Sequence, residues 1–230
     1  MSSFFKSSKK AEDVKQGGGS NYINASGMYP VTIIAPIVSV SKGGSTSIDM
    51  YVDHKDQKQV IYGNLRITNN DGSENKIGSK IFNQLLIIAG MDEVSEPIEA
   101  ELPIGKKEAM KEAAVLEDLA DIPILMRVQM EYSVYKGKIQ EKKVIKGFFR
   151  ESDNASAEEI VNESEAGLAM EKDMKYVNNV TYKDDLTPET VQAWIAGGRK
   201  DELPAGASAG SSEPAKKPAF GKRRFGADKE

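Results

Sequence analysis

Seven side chains in the middle of this chain have the types and spacing to do chemistry at a surface: Tyr51, Tyr62, Arg66, Arg127, Lys142, Lys146 and Phe148. Rings offer flat π faces on which other planar groups stack, cations neutralise phosphates, and a guanidinium can do both. Nothing comparable points to bond-making. The chain has no cysteine, which removes thiolate nucleophiles, thiolate zinc sites and disulfides. His54 is its one imidazole, and its polar surroundings read as an exposed turn rather than part of a Ser-His-Asp arrangement. Asp184-Asp185 and the glutamates of 93–121 are scattered without turn glycines, so they read as solvated faces rather than Mg²⁺ ligands. No catalytic residue, metal or cofactor is expected, and the chain is not read as an enzyme.

The seven residues share a surface only if particular elements carry them. A first strand runs roughly from Tyr29 to Val40, with β-formers dense enough for burial on both faces and with Pro30 and Pro36 at an edge or bend. Ser41-Lys42-Gly43-Gly44 is a turn. In the second strand, Ser47 to Val52, Ile48, Met50 and Val52 share one face, while Asp49, Tyr51 and Asp53 share the other. Residues His54 to Lys58 form the next turn. The third strand, Gln59 to Ile67, points Ile61, Leu65 and Ile67 inward and Tyr62, Asn64 and Arg66 outward. A helix capped by Ser79 and ended by Gly90 buries Ile81, Leu85 and Ile88. An acidic insertion, 93–121, is expected to carry a short outer helix over Lys106 to Leu119.

The fourth and fifth strands make a hairpin about Lys136-Gly137. That loop places Val128 opposite Ile145 and Ile124 opposite Phe149 on an apolar face. It places Arg127 opposite Lys146, Glu131 opposite Lys142 and Leu125 opposite Phe148 on a basic one. Net charge is only −4, but its distribution is uneven: 122–150 has a local balance of about +5 and 151–197 of about −8. The acidic region, 151–197, opens a helix at the capping box Ser156–Glu159, running toward Met170, and a second at Thr187-Pro188-Glu189, ending at Gly197-Gly198. Hydrophobic content is 39%, which leaves part of the length outside a core. Residues 1–23 read as a flexible arm and 198–230 as a disordered basic tail, with Lys216-Lys217 and Lys222-Arg223-Arg224 interleaved with Phe220 and Phe225.

Three strands, a helix and a further hairpin make up the connectivity of a five-stranded OB barrel, here spanning 24–150, and such barrels commonly present an outer face to single strands. Gly27-Met28-Tyr29-Pro30-Val31-Thr32-Ile33, the Ser41–Gly44 turn, the Ile48–Val52 strand and the helix ending Ile88-Ala89-Gly90 also resemble bacteriophage single-stranded-DNA-binding proteins with an OB core. The resemblance implies a protein of DNA replication or recombination that coats transient single strands and recruits partners. Many such proteins end in an acidic tail with a terminal aromatic residue. This chain ends basic, so recruitment of replication or recombination proteins is expected through the acidic region 151–197 or through the basic tail. The alternative is a structural or adaptor protein whose barrel binds another protein. The longest apolar stretch is too short to span a bilayer, and the cysteine-free composition fits a reducing cytoplasm, that of the host cell if the protein is phage-encoded.

Overall fold

One long strand, β1 (Gly27–Val40), organises the fold because it changes partners along its length. Gly27 to Thr32 pairs with β6 (Pro123–Tyr135), and Thr32 to Val40 pairs with β2 (Thr46–His54). The computed structural model describes residues 21–105 and 108–199, which form two units: 21–132 with 140–181, and 133–139 with 182–199. The expected arm up to residue 20 and the basic tail from residue 200 lie outside the described residues.

In the first unit the strands run β3-β2-β1-β5-β4, with β6 also paired to β1 and β7 (Lys138–Arg150) to β6. Here β3 is Gln57–Arg66, β4 is Ile98–Leu102 and β5 is Lys111–Val115. The fold is mainly β. Its antiparallel sheet is open, since among the described residues no ladder joins β3 to β7.

The dense apolar run of β1 serves two cores because its register slips between Ile33 and Ala35. Val31 and Ile33 enter the main core with Ile48, Met50, Val52, Ile61, Leu65, Ile124 and Met126. Past the slip, Ala35 and Ile37 enter a second, smaller core with Tyr51 and Val115. That second core exists because the insertion is not helical. Its Lys111–Val115 stretch, rich in helix formers, is instead a strand that takes the free edge of β1, pairing Ile37 with Val115 and Val38 with Ala114. Edge pairing and burial of Ala100, Leu102 and Ala113 outweigh a weak local propensity. Of the expected Lys106–Leu119 helix, the described residues keep a 3-10 turn at Glu117–Leu119.

Asp49 lies on this covered side of β2, half-buried, and burial raises its carboxyl to about 6 despite a hydrogen bond from Ser39. Between its ordinary 3.8 and about 6, the folded protein holds a proton that the unfolded chain releases, so stability falls as pH rises through that window. Asp49→Asn is expected to stabilise the fold at pH 7.5 by about 1 kcal/mol, allowing for screening of a half-exposed group, and by almost nothing below the ordinary carboxylate pKa, at about pH 3. Urea melts at the two pH values check this; an equal gain at both contradicts it.

Helix α1 (Lys76–Ala89) is capped one turn earlier than the sequence indicates. Asn75 accepts from the Gly78 N–H at 3.0 Å, while Ser79 donates its hydroxyl to the Ile67 carbonyl at 3.3 Å. Gly90, at φ 70°, ends the helix as expected. The Ser156–Glu159 capping box forms, but α2 (Ala157–Val161) stops after five residues and α3 (Leu168–Met174) follows separately. The Glu159 carboxylate explains the break. Besides Ser156 it accepts the N–H groups of Gly167 at 3.3 Å and Ala169 at 2.7 Å, folding the chain back on itself. Burial alone would raise this carboxyl, but its backbone donors outweigh that and hold it below the usual glutamate range.

His54 is buried rather than exposed. Its Nδ1 lies 2.7 Å from the Pro30 carbonyl, which can only accept, so Nδ1 carries the proton; its ring meets Tyr29 edge-on at 5.4 Å. Nor are residues 21–23 part of a loose arm. Ile23 is fully buried, and its N–H donates to Gln59 Oε1 at 2.9 Å.

In the second unit, Lys136 and Gly137 have φ of 51° and 74°, the left-handed pair that a two-residue hairpin loop requires. The Asp184 carboxylate accepts the Val134 N–H at 2.8 Å. Helix α4 (Pro188–Ala196) is capped by Thr187 and buries Val191 and Trp194, as its sequence indicates.

Candidate nucleic-acid interface

The strongest concentration of rings and cations is an open groove of about 470 Å³ beside β3. Tyr62, 64% exposed, rises from β3 on the side opposite Ile61. Tyr22 lies along the same groove and is held there by its neighbours: Gln59, buried beneath, receives the Ile23 N–H and donates to the Asn21 carbonyl at 3.3 Å. Lys58, four residues before Tyr62 on the same face of β3, and Lys143 of β7 bring positive charge. Burial holds the Lys143 ammonium below the usual lysine range, partly offset by Glu141. Ile104 and Glu108, from the connection between β4 and β5, line the remaining side. The arrangement offers two tyrosine rings and two ammonium groups at an opening lined by the Glu108 carboxylate, with Glu141 close to Lys143. Such a surface stacks planar groups and holds an anionic backbone.

The seven residues expected to share one face are divided among three places. Tyr62 is in the groove just described. Arg66 and Lys142, both exposed, line a second groove of about 340 Å³ with Asn75, Ile77, Ile81 and Glu131. Arg127, Lys146 and Phe148 line a third, of about 260 Å³, with residues of α2 and α3.

Three of the seven do not offer the surface expected of them. Tyr51 is on the predicted side of β2 and lines the first groove, but it is 4% exposed because the β4–β5 hairpin packs over it. Its phenol is pushed up by burial and then by the charges of Glu108 and Asp53. Phe148 is 2% exposed and belongs to the main core together with Ala157 of α2. Phe149 is buried too, so both faces of β7 are covered at this end. Arg127 is paired with Asp173 of α3 at 2.6 Å, which neutralises it.

Tyr22, Lys58 and Lys143 are the groove residues that the sequence reading misses. Tyr22 reads as part of the arm and Lys58 as part of a turn, whereas the real turn is Lys55-Asp56, at φ 52° and 62°. Lys143 has a signal of its own: it occupies an apolar-face position in the strand, where a lysine must reach out to water.

Among the described residues, no three histidine or acidic side chains converge as metal ligands, and no helix is long and apolar enough to cross a membrane. No known protein family matches the chain, and no curated protein is similar to it in sequence.

Proposed function

We propose that this protein binds single-stranded DNA without catalysis and largely without sequence preference, shielding it during phage DNA replication or recombination in the host cytoplasm. The observation that carries the reading is the 64% exposed ring of Tyr62 beside Tyr22, with Lys58 and Lys143 lining the same open groove. Bases of a single strand are free to stack on such rings, whereas a duplex keeps its bases stacked on each other. Strand order supports the same reading. Strands β1, β2, β3, β6 and β7 with α1 have the connectivity of an OB barrel left open between β3 and β7, the β4–β5 hairpin being an insertion. The replication setting follows the resemblance to phage strand-binding proteins expected from Gly27–Gly90 in the sequence.

A second reading, an adaptor that docks proteins, is favoured by Val161, Leu168, Met174 and Tyr176, all exposed apolar or aromatic residues on the acidic segment after β7. Competition separates the two. A labelled single strand bound to the full chain is expected to be displaced by unlabelled single strand and not by an equal mass of duplex of the same sequence. Equal displacement by both, or no binding to begin with, contradicts strand binding.

A further inference from the structure

Arg66 and Lys142 are two of the three expected site residues left exposed and unused by the first groove, Lys146 in the third groove being the other. Arg66 and Lys142 lie together in the second one, where β3, β7 and the start of α1 meet. Among the described residues no salt bridge engages either of them. The α1 wall beside them is apolar past Asn75, with Ile77 76% exposed, an uncommon position for a large aliphatic side chain, and Ile81 one turn further along; Glu131 is the carboxylate among the lining residues. Both grooves are built from β3 and β7. Tyr62 and Arg66 sit four residues apart on β3 and are both exposed, on a stretch whose pairing with β2 slips between Ile61 and Leu65. Between them β3 and β7 touch, with no ladder among the described residues, Gly63 lying against Ile145 so closely that a Cβ there would come within 2.8 Å of Ile145 Cγ1.

We infer that the second groove is a separate phosphate-binding subsite for the same single strand, which leaves the tyrosine groove, crosses over Gly63 and sets its backbone between Arg66 and Lys142 with a base or sugar against Ile77. This rests on the strand-binding reading above. It adds a direction to that reading: the strand follows β3 rather than crossing β1 and β2, where the β4–β5 hairpin covers Tyr51. It also assigns the work differently. The first groove holds by stacking together with its two ammonium groups, and the second chiefly by charge.

The test uses the full chain and oligothymidylates of about 4 and about 16 nucleotides, the range of strand lengths one such barrel occupies. Fluorescence anisotropy is read for wild type, Tyr62→Ala and the double variant Arg66→Ala/Lys142→Ala, with Arg66→Lys/Lys142→Arg as the charge-retaining control. The double variant is expected to bind the short strand like wild type and the long strand about tenfold more weakly. Losing two phosphate contacts should also lower its slope of log affinity against log salt by about 1.4 on the long strand. The control should restore both. A double variant that matches wild type on the long strand, while Tyr62→Ala loses affinity, overturns the second subsite and leaves the first standing. Equal losses on both lengths overturn the assigned path, since Arg66 and Lys142 would then serve the first groove. Absence of binding by wild type overturns both readings.

Discussion

Gly78→Ala is expected to destabilise the protein by about 3 kcal/mol, lowering the melting temperature by roughly 6–12 °C. Gly78 lies in the first turn of α1, and a Cβ there would overlap the Arg66 carbonyl oxygen and sit 2.6 Å from its carbon. The obstacle is backbone, so no rotamer change relieves it. The turn is fixed on that side by the Asn75 cap, the Asn75 N–H bonded to the Ile67 carbonyl at 2.8 Å, and Ser79 bonded to the same carbonyl. An added methyl must therefore push α1 away from β3, pulling Leu85 and Ile88 from the main core. Gly147→Ala is the comparison: its Cβ would make only ordinary contact, 3.6 Å from Gln84 Oε1 of the same helix, and should leave the melting temperature nearly unchanged. Calorimetry on the two variants checks this; similar melting temperatures would contradict the packing described for α1.

Tyr62→Ala is expected to weaken single-strand binding by about 1–3 kcal/mol, roughly 5- to 150-fold, without changing the melting temperature. The ring is mostly exposed, so its loss leaves no cavity. Tyr62→Phe keeps the stacking face and should bind like wild type. Tyr51→Ala should behave in the opposite way: Tyr51 is buried under the β4–β5 hairpin, so its removal costs stability first. Binding titrations paired with thermal melts separate the two tyrosines. A Tyr62→Ala variant that binds fully, or a Tyr51→Ala variant that melts like wild type, would reverse these assignments.

Tyr51 also shows where sequence stops being informative. Its side of β2 is legible, because the alternation of Ile48, Met50 and Val52 leaves no other face for it. What covers that face is not legible, because the cover is a hairpin from more than forty residues downstream whose local composition favours helix. The same holds for Arg127 and Phe148. The hairpin geometry places them on strands correctly, but Asp173 and Ala157, which neutralise one and bury the other, come from segments read as an appendage. Strands β1, β2, β3, β6 and β7, the α1 stripe, the Lys136-Gly137 turn and the Thr187 cap are local patterns and are readable, whereas β4 and β5 are not. The register slip at Ile33–Ala35 is not local in this sense. The density of β1 announces burial on both faces, but only pairing with β2 and β5 shows that the two faces belong to different cores.

The most direct test of the central claim is a salt titration of single-strand affinity for wild type and for Lys58→Ala/Lys143→Ala. Two ammonium groups on the backbone predict a wild-type affinity that falls steeply with salt and a variant slope shallower by about 1.4. A wild-type affinity indifferent to salt, or a variant with the wild-type slope, would contradict the account.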